Sequence, residues 1–352
     1  MKSRPYIALA IALMSLVVLP AKAGFTSIYV FGDSISSTAG NNAAYPLSLS
    51  YYGKRYSNGR VWVEVLAQQQ GLTLSPANNT AYFDNTSFNM VTEVKNFNPT
   101  NPAGALVVLW VNNADLFDAA TYDGTSLAQW TTDINQSQAN HYNAITNLYA
   151  KGIRTLIMPN AVDVSTIPQF NQSIYKNIIH QQCVAYNNAF YATLNQAQAS
   201  CPGLTIIVPD FYTLLNNLLA NPSSYGVNNV QMNGASIDAM DDPSLADPSL
   251  SGPGANYIFW DYADPTAKVH FIMANAAQQL VSPVQISRIV PMGASNRLDV
   301  INMPVGLVGY VDGATNLSTA WVTSANTMFA FVLATVKSAM VCAPTPGSDA
   351  VH

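Results

Sequence analysis

Charge is what this 352-residue chain has least of. Only 9% of its residues are Asp, Glu, Lys or Arg, with 14 basic against 19 acidic side chains and a net charge of −5. So few cations rule against a nucleic-acid binder, because neutralising phosphates needs clustered Lys and Arg. Three cysteines make no disulfide framework. Cys183 and Cys201 sit at opposite ends of one long helical stretch, too far apart for a disulfide, and no zinc site is expected from them. There are four histidines, so any chemistry that needs one has few places to find it. The hydrophobic share of 49% excludes wholesale disorder and suits a large core.

Long apolar runs are absent after the first 23 residues. There, Lys2 and Arg4 precede an apolar stretch from Tyr6 to Leu19, and Ala21-Lys22-Ala23 follows as a small-x-small site. This pattern predicts a signal peptide cleaved after Ala23 and a secreted or periplasmic product, since the run is short for a bilayer span. No stable membrane insertion is expected of the rest.

Beyond residue 23, strand and helix signals alternate. Ser27–Phe31 is a short β-rich run, Ala105–Val111 is a continuous apolar run of the kind a strand buried on both faces shows, and Thr155–Pro159 and Thr205–Pro209 read as further buried strands. Val61–Gln70, Leu127–Ala150 and Ile174–Ala199 have helical spacing, and Lys151-Gly152 ends the second of them. Asp264-Pro265 reads as the N-cap and first residue of a helix running to about Val281. The alternation predicts a parallel sheet flanked by helices over 24–282. Residues 229–256 form a long Asp-, Ser-, Pro- and Gly-rich excursion. Residues 283–336 predict a small β-rich module, with Tyr310 and Trp321 as core aromatics or contact residues. Residues 337–352 predict an unstructured tail.

The strongest chemical signal is Val30-Phe31-Gly32-Asp33-Ser34-Ile35-Ser36, at the end of the first strand. In an open parallel sheet, ligands bind at the carboxyl ends of strands, and a serine on a tight Gly-Asp turn is held exposed there. Two later blocks share its order: Tyr52-Gly53-Lys54-Arg55-Tyr56-Ser57-Asn58-Gly59-Arg60 and Phe259-Trp260-Asp261-Tyr262-Ala263-Asp264-Pro265-Thr266. Together the three blocks resemble those of the GDSL (SGNH) esterases and lipases over about residues 25–281. The resemblance implies a flavodoxin-like α/β/α sandwich and a serine hydrolase that needs no cofactor or metal. Ser34 matches the nucleophile, its own N–H would be one oxyanion donor, and Asp261 matches the late Asp.

The departures are as specific. The second family block carries a glycine, but Asn79–Thr86 has none. A gapless match at Trp110–Leu116 puts Ala114 where the oxyanion Asn belongs, so Asn112 or Asn113 would serve only after a local shift. The catalytic His position holds Asp264, a weak base at an ordinary carboxylate pKa of about 4. His270 lies six residues on, about 9 Å further along a helix and about 240° round. The base is therefore His270 or a carboxylate of the Asp261/Asp264 pair. His141 and His180 read as helix-face residues. Two functions follow: an esterase acting on short acyl, lipid or acetylated-sugar esters, or a non-catalytic protein of the same fold that binds an ester, lipid or glycan.

Overall fold

A computed structural model describes residues 24–38, 51–245 and 249–282 in full, and beyond them the backbone of several strands between 285 and 342. Four parallel strands form the central sheet in the order β1 (Ser27–Gly32), β2 (Ala105–Trp110), β3 (Thr155–Ile157), β4 (Thr205–Ile207). Ser27 to Gly32 pair in register with Ala105 to Trp110. Every residue of β2 is buried, as its unbroken apolar run predicts. At the other edge of β1, the Thr80 and Tyr82 N–H groups donate to the carbonyls of Val30 and Gly32. The chain thus leaves β1 toward one side and returns on the other, and such a switch point opens a crevice at the strands' carboxyl ends.

Seven helices flank the sheet among the described residues: α1 (Trp62–Gln69), α2 (Ser87–Asn96), α3 (Asn112–Tyr122), α4 (Leu127–Ala150), α5 (Lys176–Ser200), α6 (Phe211–Ala220) and α7 (Ala267–Val281). α1 packs on α7, while α4 packs on both α2 and α5. Trp62, Trp110 and Phe211 meet edge to face at 5.1–5.7 Å between ring centroids, locking α1, β2 and α6 together. Gly152, left-handed at φ 95°, closes α4. Cys183 and Cys201 are buried free thiols. No helix among the described residues is long and apolar enough to cross a membrane.

Two expectations change. α7 begins at Ala267 with Thr266 as N-cap, so Asp264 caps nothing and its carboxylate is free for another partner. The 229–256 excursion is tied to the late block, with the Ala239 and Met240 N–H groups donating to Phe259 O and Trp260 O, and to Asn58 and Asn171, whose Nδ2 groups donate to Leu250 O and Ser236 O. Finally, Ser338–Cys342, in the stretch read as tail, is a strand. It pairs antiparallel with Ser295–Ile301, which pairs in turn with Gln285–Met292. Residues 1–23, Tyr310 and Trp321 lie outside the described residues.

Candidate active site

Gly32 ends β1, and the chain turns at once. A Cβ on Gly32 would sit 2.8 Å from Ser36 Cβ, so the tight return needs glycine. Asp33 caps the short 3-10 turn Ser34–Ser36 by accepting the Ile35 N–H at 3.1 Å. The glycine-free stretch 79–86 clamps this turn from outside. Asn79 Nδ2 donates to Ser36 O and Asn85 Nδ2 to Gly32 O, both at 2.9 Å. Asp84 there is left-handed at φ 65°. The stretch thus reaches without glycine a conformation that glycine takes most readily, at a residue type that tolerates it.

Ser34 Oγ donates to Asp264 Oδ1 at 2.9 Å. The turn carrying Asp264 is built by Asp261, whose Oδ1 accepts the N–H groups of Asp264 (2.7 Å) and Ala263 (3.0 Å). The other oxygen, Oδ2, accepts the Tyr51 hydroxyl at 2.7 Å. Asp261 therefore orients Asp264 by holding the Asp264 backbone N–H, with no bond to the Asp264 carboxylate. Burial, with Asp261 and Asp33 nearby, pushes the Asp264 carboxyl well above the usual range. Burial also lifts Asp33 to about 7 and raises Asp261, against the hydrogen bonds that Asp261 accepts.

The second block explains itself here as a clasp on this turn. Ser57 Oγ donates to Pro265 O at 2.9 Å, and Asn58 Oδ1 accepts the Ala267 N–H at 2.8 Å. Asn58 thus caps α7 from another part of the chain. Gly59 is the contact point: a Cβ there would lie 2.6 Å from Ala267 Cβ. Gly59→Ala is expected to cost about 1–3 kcal/mol, as overpacking does, read as a lower midpoint in urea unfolding.

His270 is not brought to Ser34. The late start of α7 leaves it facing α1, fully buried, where its Nδ1 accepts the Trp62 N–H at 3.3 Å and Nε2 has no hydrogen-bond partner among the described residues. Burial holds it down at about 3, neutral at any working pH. His270→Ala should cost about 2–4 kcal/mol through the cavity and the unpaired Trp62 N–H. Turnover per folded molecule should change only a few-fold; a hundredfold loss at unchanged stability would make His270 the base after all. His180 Nδ1 contacts Asp163 Oδ2 at 2.5 Å, with half of its side chain in solvent.

The two asparagines separate. Asn112 is fully buried and occupied at both ends: Nδ2 donates to Pro159 O, and Oδ1 lies 3.0 Å from Nε2 of the buried His141. It lies outside the cleft, so the structure offers it no oxyanion role. Asn113, the next residue, lines the Ser34 cleft. Its Oδ1 accepts the Val162 N–H at 3.0 Å, while its buried Nδ2 donates to nothing among the described residues. The Ser34 N–H is likewise absent from the hydrogen bonds of the turn, where the N–H groups of Asp33, Ile35, Ser36 and Ser37 are all used. Ser34 and Asn113 thus share a cleft of about 470 Å³, which Asp33, Ala114, Phe117, Asp118, Val162 and Tyr262 help to line.

Tyr51, Asn79, Asn85 and Asp84 are parts of this site that the sequence reading does not pick out. Only Asp84-Asn85 carries a signal, as a pair of residue types tolerant of left-handed backbone.

A GDSL esterase/lipase of Arabidopsis thaliana is 22% identical over 331 residues, covering 76% of this chain and 86% of its own. The thermolabile hemolysin of Vibrio parahaemolyticus is 23% identical over 271 residues, 70% of this chain and 62% of its own. An acetylxylan esterase structure from Geobacillus stearothermophilus aligns at 13% identity with a TM-score of 0.42, covering 74% of this chain and 95% of that one. The profile of GDSL-like lipases and acylhydrolases matches residues 28–277, most of the chain, with Ser34 near one end and Asp261 and Asp264 near the other, and the chain belongs to that family.

Proposed function

We propose that the protein is an exported serine esterase that hydrolyses carboxylic esters through an acyl-enzyme on Ser34, with Asp264 as its base. The observation that carries this reading is the 2.9 Å hydrogen bond from Ser34 Oγ to Asp264 Oδ1. A base must lie within such reach of the proton it removes. A carboxylate at its ordinary pKa accepts a serine proton poorly; one raised by burial is a stronger base once ionised, and its conjugate acid is better matched to neutral pH.

The steps follow from that pair. Ser34 Oγ attacks the ester carbonyl carbon as its proton passes to Asp264. The oxyanion forms against the Ser34 N–H and Asn113 Nδ2. The C–O bond to the alcohol breaks, and the departing oxygen takes the proton back from Asp264. Water then attacks the acyl-Ser34 carbonyl, giving its proton to Asp264; the bond to Ser34 Oγ breaks as Asp264 returns that proton to it, releasing the acid and the free serine. Asp261 and Tyr51 touch none of the reacting atoms; they position Asp264. Export rests on the Lys2–Ala23 pattern alone.

The test is hydrolysis of p-nitrophenyl esters from acetate to palmitate by the mature chain, with hydroxylamine-sensitive acylation of Ser34 followed by mass spectrometry. Turnover with acyl mass on the Ser34 peptide is the expected result. A folded sample with neither turnover nor acylation on any chain length would leave only the binding function.

A further inference from the structure

The cleft at Ser34 has two unlike ends. Ile35, Val162, Ile167 and Ala263 belong both to the cleft and to a neighbouring crevice, whose other walls include Trp110, Phe211, Leu215 and Met273. Nothing polar but backbone faces that side. At the other end stand Asp84 and Asp118, with the rings of Phe117 and Tyr122. Asp118 and Tyr122 also line an adjoining cavity of about 260 Å³ that adds Asp115, Asp123 and Asp133.

Every charged side chain on the cleft wall is an aspartate; no Lys, Arg or His lines it among the described residues. The undescribed stretch 39–50 contains no charged residue either. Neither Asp84 nor Asp118 has a hydrogen-bond or ion-pair partner among the described residues, whereas Asp115 is held by Ser87 N–H and Ser137 Oγ. Between the two ends, Asn113 is only 7% exposed and keeps a donor without a partner. The reacting carbonyl thus belongs in the middle, with one substituent toward each end. An anionic alcohol would be repelled from the acidic end. No described cluster of His, Cys, Asp and Glu suits a metal ion, so the charge complement is an organic monocation. Carboxylates beside aromatic faces suit a quaternary ammonium group, which is attracted to both and needs no hydrogen-bond acceptor.

We propose that the cleft prefers esters of cationic alcohols, with the acyl group toward Ile35, Val162, Ile167 and Ala263 and a quaternary ammonium at Asp84 and Asp118. The proposal rests on the Ser34 cleft being the ester site. The probes are butyrylcholine and its uncharged isostere, 3,3-dimethylbutyl butyrate. The wild-type ratio of kcat/KM, charged over neutral, should be at least about fivefold at low ionic strength and should shrink in 0.5 M salt. In Asp84→Asn/Asp118→Asn it should fall toward one; as a ratio, it is unaffected by loss of folded protein. A wild-type ratio of one or below, or a ratio unchanged in the double variant, overturns the proposal. Calorimetric titration of both esters into Ser34→Ala separates this from failure of the esterase reading. If the wild type hydrolyses neither ester, tighter binding of butyrylcholine that is lost with Asp84 and Asp118 upholds the preference. Equal or weaker binding overturns it.

Discussion

Ser34→Ala should lower kcat/KM on p-nitrophenyl butyrate by on the order of 10⁴ or more, to the level left by binding and oxyanion donors alone. The loss is large because it removes the atom that bonds to the acyl group, and no neighbouring hydroxyl can replace it. Ser36 Oγ, two residues on, accepts the Trp62 Nε1–H at 3.0 Å and is fully buried. Folding should survive. Ser34 Oγ makes one side-chain hydrogen bond, to Asp264, and the turn is held by backbone bonds, Asp33, Asn79 and Asn85. The measurement is turnover beside a thermal melt. A native melting temperature with lost turnover assigns the chemistry to Ser34, whereas a variant that still turns over ester dismisses Ser34 as nucleophile.

The turn that carries Ser34 was legible because its constraints are local. An apolar run followed by Gly-Asp-Ser leaves one arrangement: a buried strand, a close return that only Gly32 permits, and a serine at the strand's carboxyl end. The SNGR block was legible as a motif but not as a device, since Ser57 and Asn58 act on Pro265 and Ala267 more than 200 positions away. The cap expected at Asp264 fails for a physical reason. Asp before Pro is a strong local cap signal, but Asn58 supplies the cap from a distance and Thr266 takes the N-cap position. The local preference lost to a tertiary contact. Asn112 and Asn113 could not be told apart from sequence, because one residue of register at the end of β2 decides which side chain faces the cleft and which faces α4. The left-handed Asp84 shows the same limit: a residue other than glycine takes that backbone conformation here, and the tertiary setting decides which.

Asp264→Asn isolates the substitution that distinguishes this site. The amide keeps the carboxylate's shape and still accepts the Ser34 hydroxyl through Oδ1, but it cannot take the proton. Turnover should therefore fall by about 10²–10⁴, the range of a general base, while acyl-group selectivity stays as in the parent. The pH dependence carries the sharper information. Only ionised Asp264 is a base, and burial with Asp261 and Asp33 raises its pKa, so kcat/KM should climb with pH through a range well above that of an ordinary carboxylate. Stability must run the other way. A carboxyl whose folded pKa is raised favours the folded state most fully below its unfolded value of about 4. That contribution is lost as pH rises through the folded value, because the folded protein must then hold a buried charge that the unfolded chain gives to water. The parent should thus become less stable over the same pH range in which it becomes active. Asp264→Asn, uncharged throughout, should escape its share of that decline: its melting temperature should match the parent's in acid and exceed it at neutral and alkaline pH. Asp33, at about 7, adds a decline that both proteins share, so the difference between the two melting curves reports Asp264. If activity tracks pH while that difference stays flat, the titrating base is a group other than Asp264. If both move together, one carboxylate sets the rate and the stability in opposite senses, as a base left in place of histidine in a buried site must.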